Sequence, residues 1–517
     1  MKKLNFAIAL LLLSSFLFAQ EKVDIQMMQK IKDEEAQYSQ IEMLAFHLTD
    51  VCGPRLTNSP GYRRAVAWAV QTLKQWGLQN AAPEPWGEFG KGWSTEESFL
   101  AMKIPYYQPL IAYPYAWTNG TPGLITAKVV LMNDLDSISV DKLGADVKGS
   151  IVMVKSPDTT FLNHFKADAI RYEKSELDAL PDVSMFTPQR YFYYRNLVNK
   201  WYDVKHYLQS KGAEALLTIS PNGGDGTVGV AGGLTYYKTY EATLPQMVVS
   251  REDFLRLQRL LDYGQSVILE MNVQNKFYID DLTGYNVVAE IPGTDPILKN
   301  QVVMFGGHLD SWHSGTGATD NAAGCIATME AIRVLKSLGV KPKRTIRIAL
   351  WGAEEQGLLG SFGYVRKHFG NLRDMKLTPE QEKVSVYFNL DNGTGKIRGI
   401  YLQNNEKVRD IFSAWLQPFA SMGATGITSS NTGSTDHSMF DMVGIPAFQF
   451  IQDPMEYETR THHTNMDVYN YLSIEDLKQA AIIIAAFVYN ASMREEMLPR
   501  KPLPAPWPFV NENGFVK

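Results

Sequence analysis

The chain has 517 residues, 45% hydrophobic and 20% charged. That balance excludes a largely disordered polymer and leaves room for roughly two to four domains. Fifty Lys and Arg against 55 Asp and Glu give a formal charge of −5, which argues against a nucleic-acid partner, whose phosphates call for a basic excess.

Lys2 and Lys3 precede an apolar run over 4–13, and Ala19 offers a small residue at a cleavage point. This predicts a secretory signal peptide over 1–19 and an exported chain, periplasmic or secreted. The alternative is a membrane anchor, but the run is short of the about 20 apolar residues a spanning helix needs, so no stable membrane insertion is expected. In the unit 20–120, the spacing predicts helices between 24 and 77, with Gly77 as a closing residue. A second unit, 121–280, has a mixed β texture: short apolar runs at 128–132, 150–154, 215–219 and 246–249, and one clear helix over 252–263. It also holds an aromatic run, 191–194, read as core or interface rather than a substrate platform, and a glycine-rich loop over 223–233.

The third unit, 281–495, alternates compact apolar runs (287–291, 302–305, 345–351, 384–390, 447–451) with helix-length segments at 322–338, 358–368 and 407–422. Such alternation predicts a mostly parallel sheet covered on both faces, an α/β fold in three αβα layers. A final helix over 474–489 and a proline-rich tail, 496–517, complete the chain. Of the two cysteines, Cys325 falls in an apolar helical run, where a buried thiol is expected; with Cys52 it could form one bridge at most.

Ligands of open α/β sheets bind beyond the carboxyl ends of the strands. The predicted strand 302–305 runs into Gly306-Gly307-His308-Leu309-Asp310, and Asp320 stands just before the next helix. The strand 345–351 runs into Glu354 and Glu355, 384–390 into Asp391, and 447–451 leads on to His462 and His463. Imidazoles and carboxylates without cysteine suit borderline or hard divalent cations, zinc foremost. The inventory exceeds what one ion needs, and a shared carboxylate is the economical way to hold two ions about 3.5–4 Å apart.

The segments Gly307-His308-Leu309-Asp310-Ser311, Gly317-Ala318-Thr319-Asp320-Asn321-Ala322-Ala323-Gly324, Ala353-Glu354-Glu355-Gln356-Gly357, Asn389-Leu390-Asp391 and His463-Thr464 with Asp467 resemble the co-catalytic di-zinc exopeptidases. That family includes bacterial leucyl aminopeptidases and glutamate carboxypeptidases. The resemblance extends to Gly53-Pro54-Arg55-Leu56, making 20–120 and 281–495 two parts of one phosphorylase/hydrolase-like catalytic domain. It makes 121–280 an inserted protease-associated domain, through Lys148-Gly149-Ser150-Ile151-Val152, Lys211-Gly212-Ala213 and Leu244-Pro245.

The resemblance implies two Zn²⁺ per chain. One would be held by His308, Asp391 and bridging Asp320, the other by Glu355, His463 and the same Asp320. Glu354 would be the general base acting on a metal-bridging water, and Asp310 would orient His308 by accepting its other ring N–H. It also implies a cis peptide between Asp320 and Asn321. His462 either donates to the oxyanion or is merely solvated; Asp436 and His437 either contact substrate or, the favoured reading, brace the site. The remaining histidines, His47, His164, His206, His313 and His368, are given no site role.

The implied activity is hydrolysis of a peptide or dipeptide, with aminopeptidase preferred. A dipeptidase or glutamate-carboxypeptidase-like activity is the alternative, and a metal-free receptor on the same scaffold the distant one. His-Glu-x-x-His and Gly-x-Ser-x-Gly are both absent from the sequence, which removes the usual warrants for a helix-borne zinc protease and a serine hydrolase. Oligomeric state is open, a homodimer included.

Overall fold

The protein is described by a computed structural model covering residues 21–156, 167–183 and 188–508. Residues 1–19, read from the sequence as a signal peptide, His164 and the end of the proline-rich tail lie outside the described residues. The sheet of the catalytic part has eight strands: β1 (Gln79–Glu88), β2 (Thr283–Ile291), β3 (Val302–His308), β4 (Thr345–Trp351), β5 (Val384–Asn389), β6 (Ile397–Tyr401), β7 (Gly426–Thr428) and β8 (Ala447–Gln452). Their spatial order is β1-β2-β4-β3-β5-β8-β6-β7. The centre, β4-β3-β5-β8, is parallel, while β1, β2 and β6 run antiparallel to their neighbours on the central side.

Every residue of β3, β5 and β8 is buried, the signature of strands covered on both faces. Along β3, Val303 and Phe305 pack with the helices Ile25–Tyr38, Ala323–Ser337 and Ile474–Met493. Val302 and Met304 point to the other face, against Leu359–His368 and His437–Asp441. Full burial of each such side chain contributes about 1.5–3 kcal/mol. The three layers expected from the sequence are therefore present. Ser59 caps the helix Pro60–Gln75 by accepting from the Tyr62 N–H, and Gly77 (φ +77°) ends it as expected.

The second sheet begins earlier than the sequence reading placed it. It runs Gln108–Pro109, Gly92–Ile104, Ile268–Tyr278, Ile125–Met132, Ser150–Val154, Ala215–Ile219, Gln246–Val249, Ala112–Pro114. The excursion thus starts near Gly92 rather than at 121. It is the connection of a hairpin, since β1 and β2 pair antiparallel from Glu88↔Thr283 to Gln79↔Glu290. β1 carries Pro83 and Pro85, which are tolerated because it is an edge strand. The aromatic run 191–194 lies on a long helix, Pro188–Ser210, with Tyr193 and Tyr194 exposed rather than in the core. Cys52 and Cys325 are both buried free thiols.

Candidate metal centre

Parallel strands end at one edge of the sheet, so the loops following β3, β4, β5 and β8 converge there. His308 is the last residue of β3. Gly317 (φ +61°) turns the next loop tightly against Ser311, where a Cβ would come within 2.2 Å, and this brings Asp320 back to His308. The Asp320–Asn321 peptide is cis, as the family resemblance implied.

Asp320 lies between two imidazoles. Its Oδ1 is 3.2 Å from His308 Nε2, and its Oδ2 is 3.2 Å from His463 Nε2. Asp391 Oδ1 is 3.2 Å from His308 Nε2, and Glu355 Oε2 is 3.0 Å from His463 Nε2. Donors around zinc at about 2.0–2.1 Å stand about 3.3 Å apart in a tetrahedron, so these separations fit a cation shared by each group. His308, Asp320 and Glu355 form one cluster with metal-ligand spacing, and Asp320, His462 and His463 another. Of the paired histidines, His463 is the better placed: His462 Nε2 is 3.8 Å from Asp320, and its Nδ1 faces Glu458 at 3.7 Å.

The electrostatics also fit a bound cation. Burial alone would raise Asp320, but His308 and His463 on its two oxygens pull its carboxyl well below the usual range. Burial raises Glu355, and the charge of Asp320 raises it further against the pull of His463. Glu354 is held well above the carboxylate range, by burial first, with His308 opposing and Asp391, Asp436 and Glu355 adding. Asp320 Oδ2 and Glu355 Oε1 are buried without a hydrogen-bond partner. Four carboxylates against two imidazoles, with acceptor oxygens unspent, leave a site short of positive charge.

Asp310 holds a different post from the one expected. The ring N–H side of His308 (Nδ1) meets the backbone carbonyl of Asp310 at 3.0 Å, and its carboxylate only at 3.6 Å. The carboxylate instead accepts the backbone N–H groups of Glu354 (3.1 Å) and Glu355 (3.3 Å) and the Thr57 hydroxyl. It fixes the β4 loop to the β3 loop.

Asp436 and His437 are buried, and neither lines the cavity of about 530 Å³ that opens over Asp320, Glu354, Glu355, Asp391, His462 and His463. Burial pushes the Asp436 carboxyl up to about 8 and the His437 imidazole down to about 4. His437 Nε2 meets the Thr432 carbonyl at 3.0 Å, bracing the loop that leads to the cavity wall. His313 and His368 are engaged elsewhere, with the Pro114 carbonyl and Glu84. Arg460 pairs with Asp168 and Glu456.

Two residues quoted only as motif members prove structural. Asp467 accepts from the Thr319 N–H (2.6 Å), the Thr319 hydroxyl (2.8 Å) and the Asp320 N–H (3.2 Å), so it sets the segment that carries Asp320. Arg55 is completely buried and donates to the carbonyls of Leu48, Leu309, Thr316 and Gly317, tying both loops of the centre to the N-terminal helices. The only sequence signal for either was its place in a motif; their contacts span 148 and 254 positions of chain.

Fold and site together define the class, a metallo-exopeptidase. Residues 286–488 match the family model described as Peptidase family M28. Carboxypeptidase Q of Homo sapiens is 27% identical over 471 residues, covering 90% of this chain and 88% of that one. A solved Peptidase M28 precursor from Shewanella amazonensis shares the fold with a TM-score of 0.67 at 23% identity, covering 93% of this chain and 99% of its own. BSAP, a zinc aminopeptidase from Bacillus subtilis, shares it with a TM-score of 0.57 at 21% identity, over 88% and 95% of the two chains.

Proposed function

We propose that the chain is an exported aminopeptidase working with two zinc ions. His308, Asp391 and Asp320 would hold one, and Glu355, His463 and the same Asp320 the other. The unpartnered oxygens of Asp320 and Glu355 support that division. Bound there, zinc supplies Lewis acidity to the attacking water and the scissile carbonyl. The chain's own groups do the rest. Asp310 fixes the Glu354 backbone, so the carboxylate faces the cavity at 4.0 Å from His308 Nε2. Glu354 takes a proton as the water oxygen bonds to the carbonyl carbon, then delivers it to the amine nitrogen as the C–N bond breaks. His462, stacked on Tyr457 at 4.7 Å, is at hand to donate to the developing oxyanion.

The preference for a free amino terminus rests on one observation. Among the described residues lining the cavity there are five carboxylates and two histidines, but no Lys or Arg. With zinc bound, Asp320, Asp391 and Glu355 are spent on metal and Glu354 on the proton, which leaves Glu458 to attract an α-ammonium group and no side-chain cation to hold an α-carboxylate. Glu458, with its side chain largely exposed beside His462, is the acid best placed for that contact. A dipeptidase or carboxypeptidase-like activity is the second reading, the latter favoured by the near full-length match to a carboxypeptidase. The second sheet is read as a protease-associated module, and export rests on residues 1–19. Turnover of amino-acid anilides and of N-blocked dipeptides, with zinc content measured alongside, separates the readings. Anilide cleavage with blocked dipeptides untouched supports the aminopeptidase; the reverse pattern overturns it.

A further inference from the structure

The glycine-rich loop of the second sheet reaches across to the catalytic part and docks on the segment that carries His463. Gly229 and Thr464 form an isolated antiparallel bridge. The Val230 N–H donates to the His463 carbonyl at 2.9 Å, and the Asn465 N–H donates to the Val228 carbonyl at 3.1 Å. Asn465 closes the contact from its side chain, where Oδ1 accepts the Val228 N–H at 2.6 Å. His463 itself has φ +60°, a left-handed conformation that a non-glycine residue keeps only where its surroundings over-determine it. All three hydrogen bonds sit on the residue pair 463 and 465, and every partner belongs to the excursion.

The loop is not a loose contact. Val228 and Val230 are buried against Val248 of the strand Gln246–Val249. Trp312 packs against the same cluster, with its ring 6.0 Å from the His463 ring and 6.3 Å from Trp117. The His463 imidazole is therefore aimed by backbone contacts on one side and by a tryptophan seated on the second sheet on the other.

We infer that Asn465 is a positioning residue through which the second sheet sets the aim of His463, and with it the affinity of the zinc position that His463 shares with Glu355. This rests on the two-zinc reading above. The side-chain amide holds the loop at two points: Oδ1 accepts the Val228 N–H, and Nδ2 donates to the Gly226 carbonyl at 3.4 Å. Removing that acceptor leaves the Val228 N–H unpaired in a buried contact and frees the backbone of 463–465 to leave the left-handed turn.

The experiment compares the parent with Asn465→Ala and Asn465→Asp, the latter keeping an acceptor oxygen. Zinc retention is measured by elemental analysis after equilibration against a graded chelator, and kcat and KM are measured on an amino-acid anilide. Thermal unfolding of the zinc-free proteins checks folding. Asn465→Ala is expected to weaken one of two zinc equivalents at least tenfold and to lower kcat more than it raises KM; Asn465→Asp, which loses only the longer donor contact with Gly226, is expected to recover most of both. If Asn465→Ala does not fold, Val228→Ala, which loosens the same loop from the other side, carries the same expectation for zinc. A parent that binds two zinc ions beside an Asn465→Ala variant with unchanged retention overturns the inference alone. A parent that binds no zinc overturns the metal reading, and this inference with it.

Discussion

Replacing Glu354 by Gln separates catalysis from metal binding. The side chain is almost fully buried, and Oε2 comes no nearer to His308 Nε2 than 4.0 Å. The oxygens of Asp320, Asp391 and Glu355 stand at 3.0–3.2 Å from their imidazoles. Gln matches Glu in size and keeps the backbone N–H that Asp310 accepts, so the loop and the metal donors stay in place. What it loses is the capacity to take a proton. General-base catalysis contributes about 10²–10⁴-fold, or about 2.7–5.4 kcal/mol of barrier. Glu354→Gln is accordingly expected to lower kcat on an amino-acid anilide by that factor with zinc content unchanged. The pH profile should change as well. A base works deprotonated, so the parent rate falls as pH drops through the Glu354 pKa, which burial raises against the opposing pull of His308. The variant should lack that acid limb. Glu354→Gln protein that keeps its zinc and turns over near the parental rate would refute the assignment.

Asp467→Asn keeps shape but turns one of three accepting positions into a donor facing an N–H, most easily the 3.2 Å contact with Asp320. The cost is about 1–3 kcal/mol, expected as a roughly tenfold or greater loss of zinc affinity in chelator competition; unchanged affinity would mean that Asp467 does not set Asp320. Far from the centre, Glu35 is buried beside Glu330, and burial first, then that neighbour, pushes its carboxyl up to about 8. The native state then keeps a proton that the unfolded chain releases near pH 4.5, so stability falls as pH rises between those values. Glu35→Gln has no such proton to lose. Between pH 5 and pH 8 its unfolding free energy should gain on the parent by up to about 4 kcal/mol, at 1.36 kcal/mol per unit; a difference independent of pH would show that Glu35 is ionised throughout.

The amino-acid sequence by itself determined the scaffold and the candidate residues. The apolar runs at 302–305, 345–351, 384–390 and 447–451 mark strands because central parallel strands, buried on both faces, must be continuously hydrophobic, and β3, β4, β5 and β8 lie over them. Polar residues following such runs stand out, and this made His308, Glu354, Glu355, Asp391 and His463 legible. Signals of this kind are local, encoded in the period of a strand or helix.

Tertiary structure decided what depends on partners distant in the chain. β1, with its two prolines, does not look like a strand until it pairs along one edge with β2, about 200 positions away. The excursion starts at Gly92 because Gly92–Ile104, about half exposed, finds its place only beside Ile268–Tyr278. The carboxylate of Asp310 turned out to hold the neighbouring loop rather than a ring nitrogen, and Asp467 and Arg55 took on the work of aligning loops. Hydrogen bonds between segments leave no period in the sequence, since they are set by where the packed core brings two backbones together.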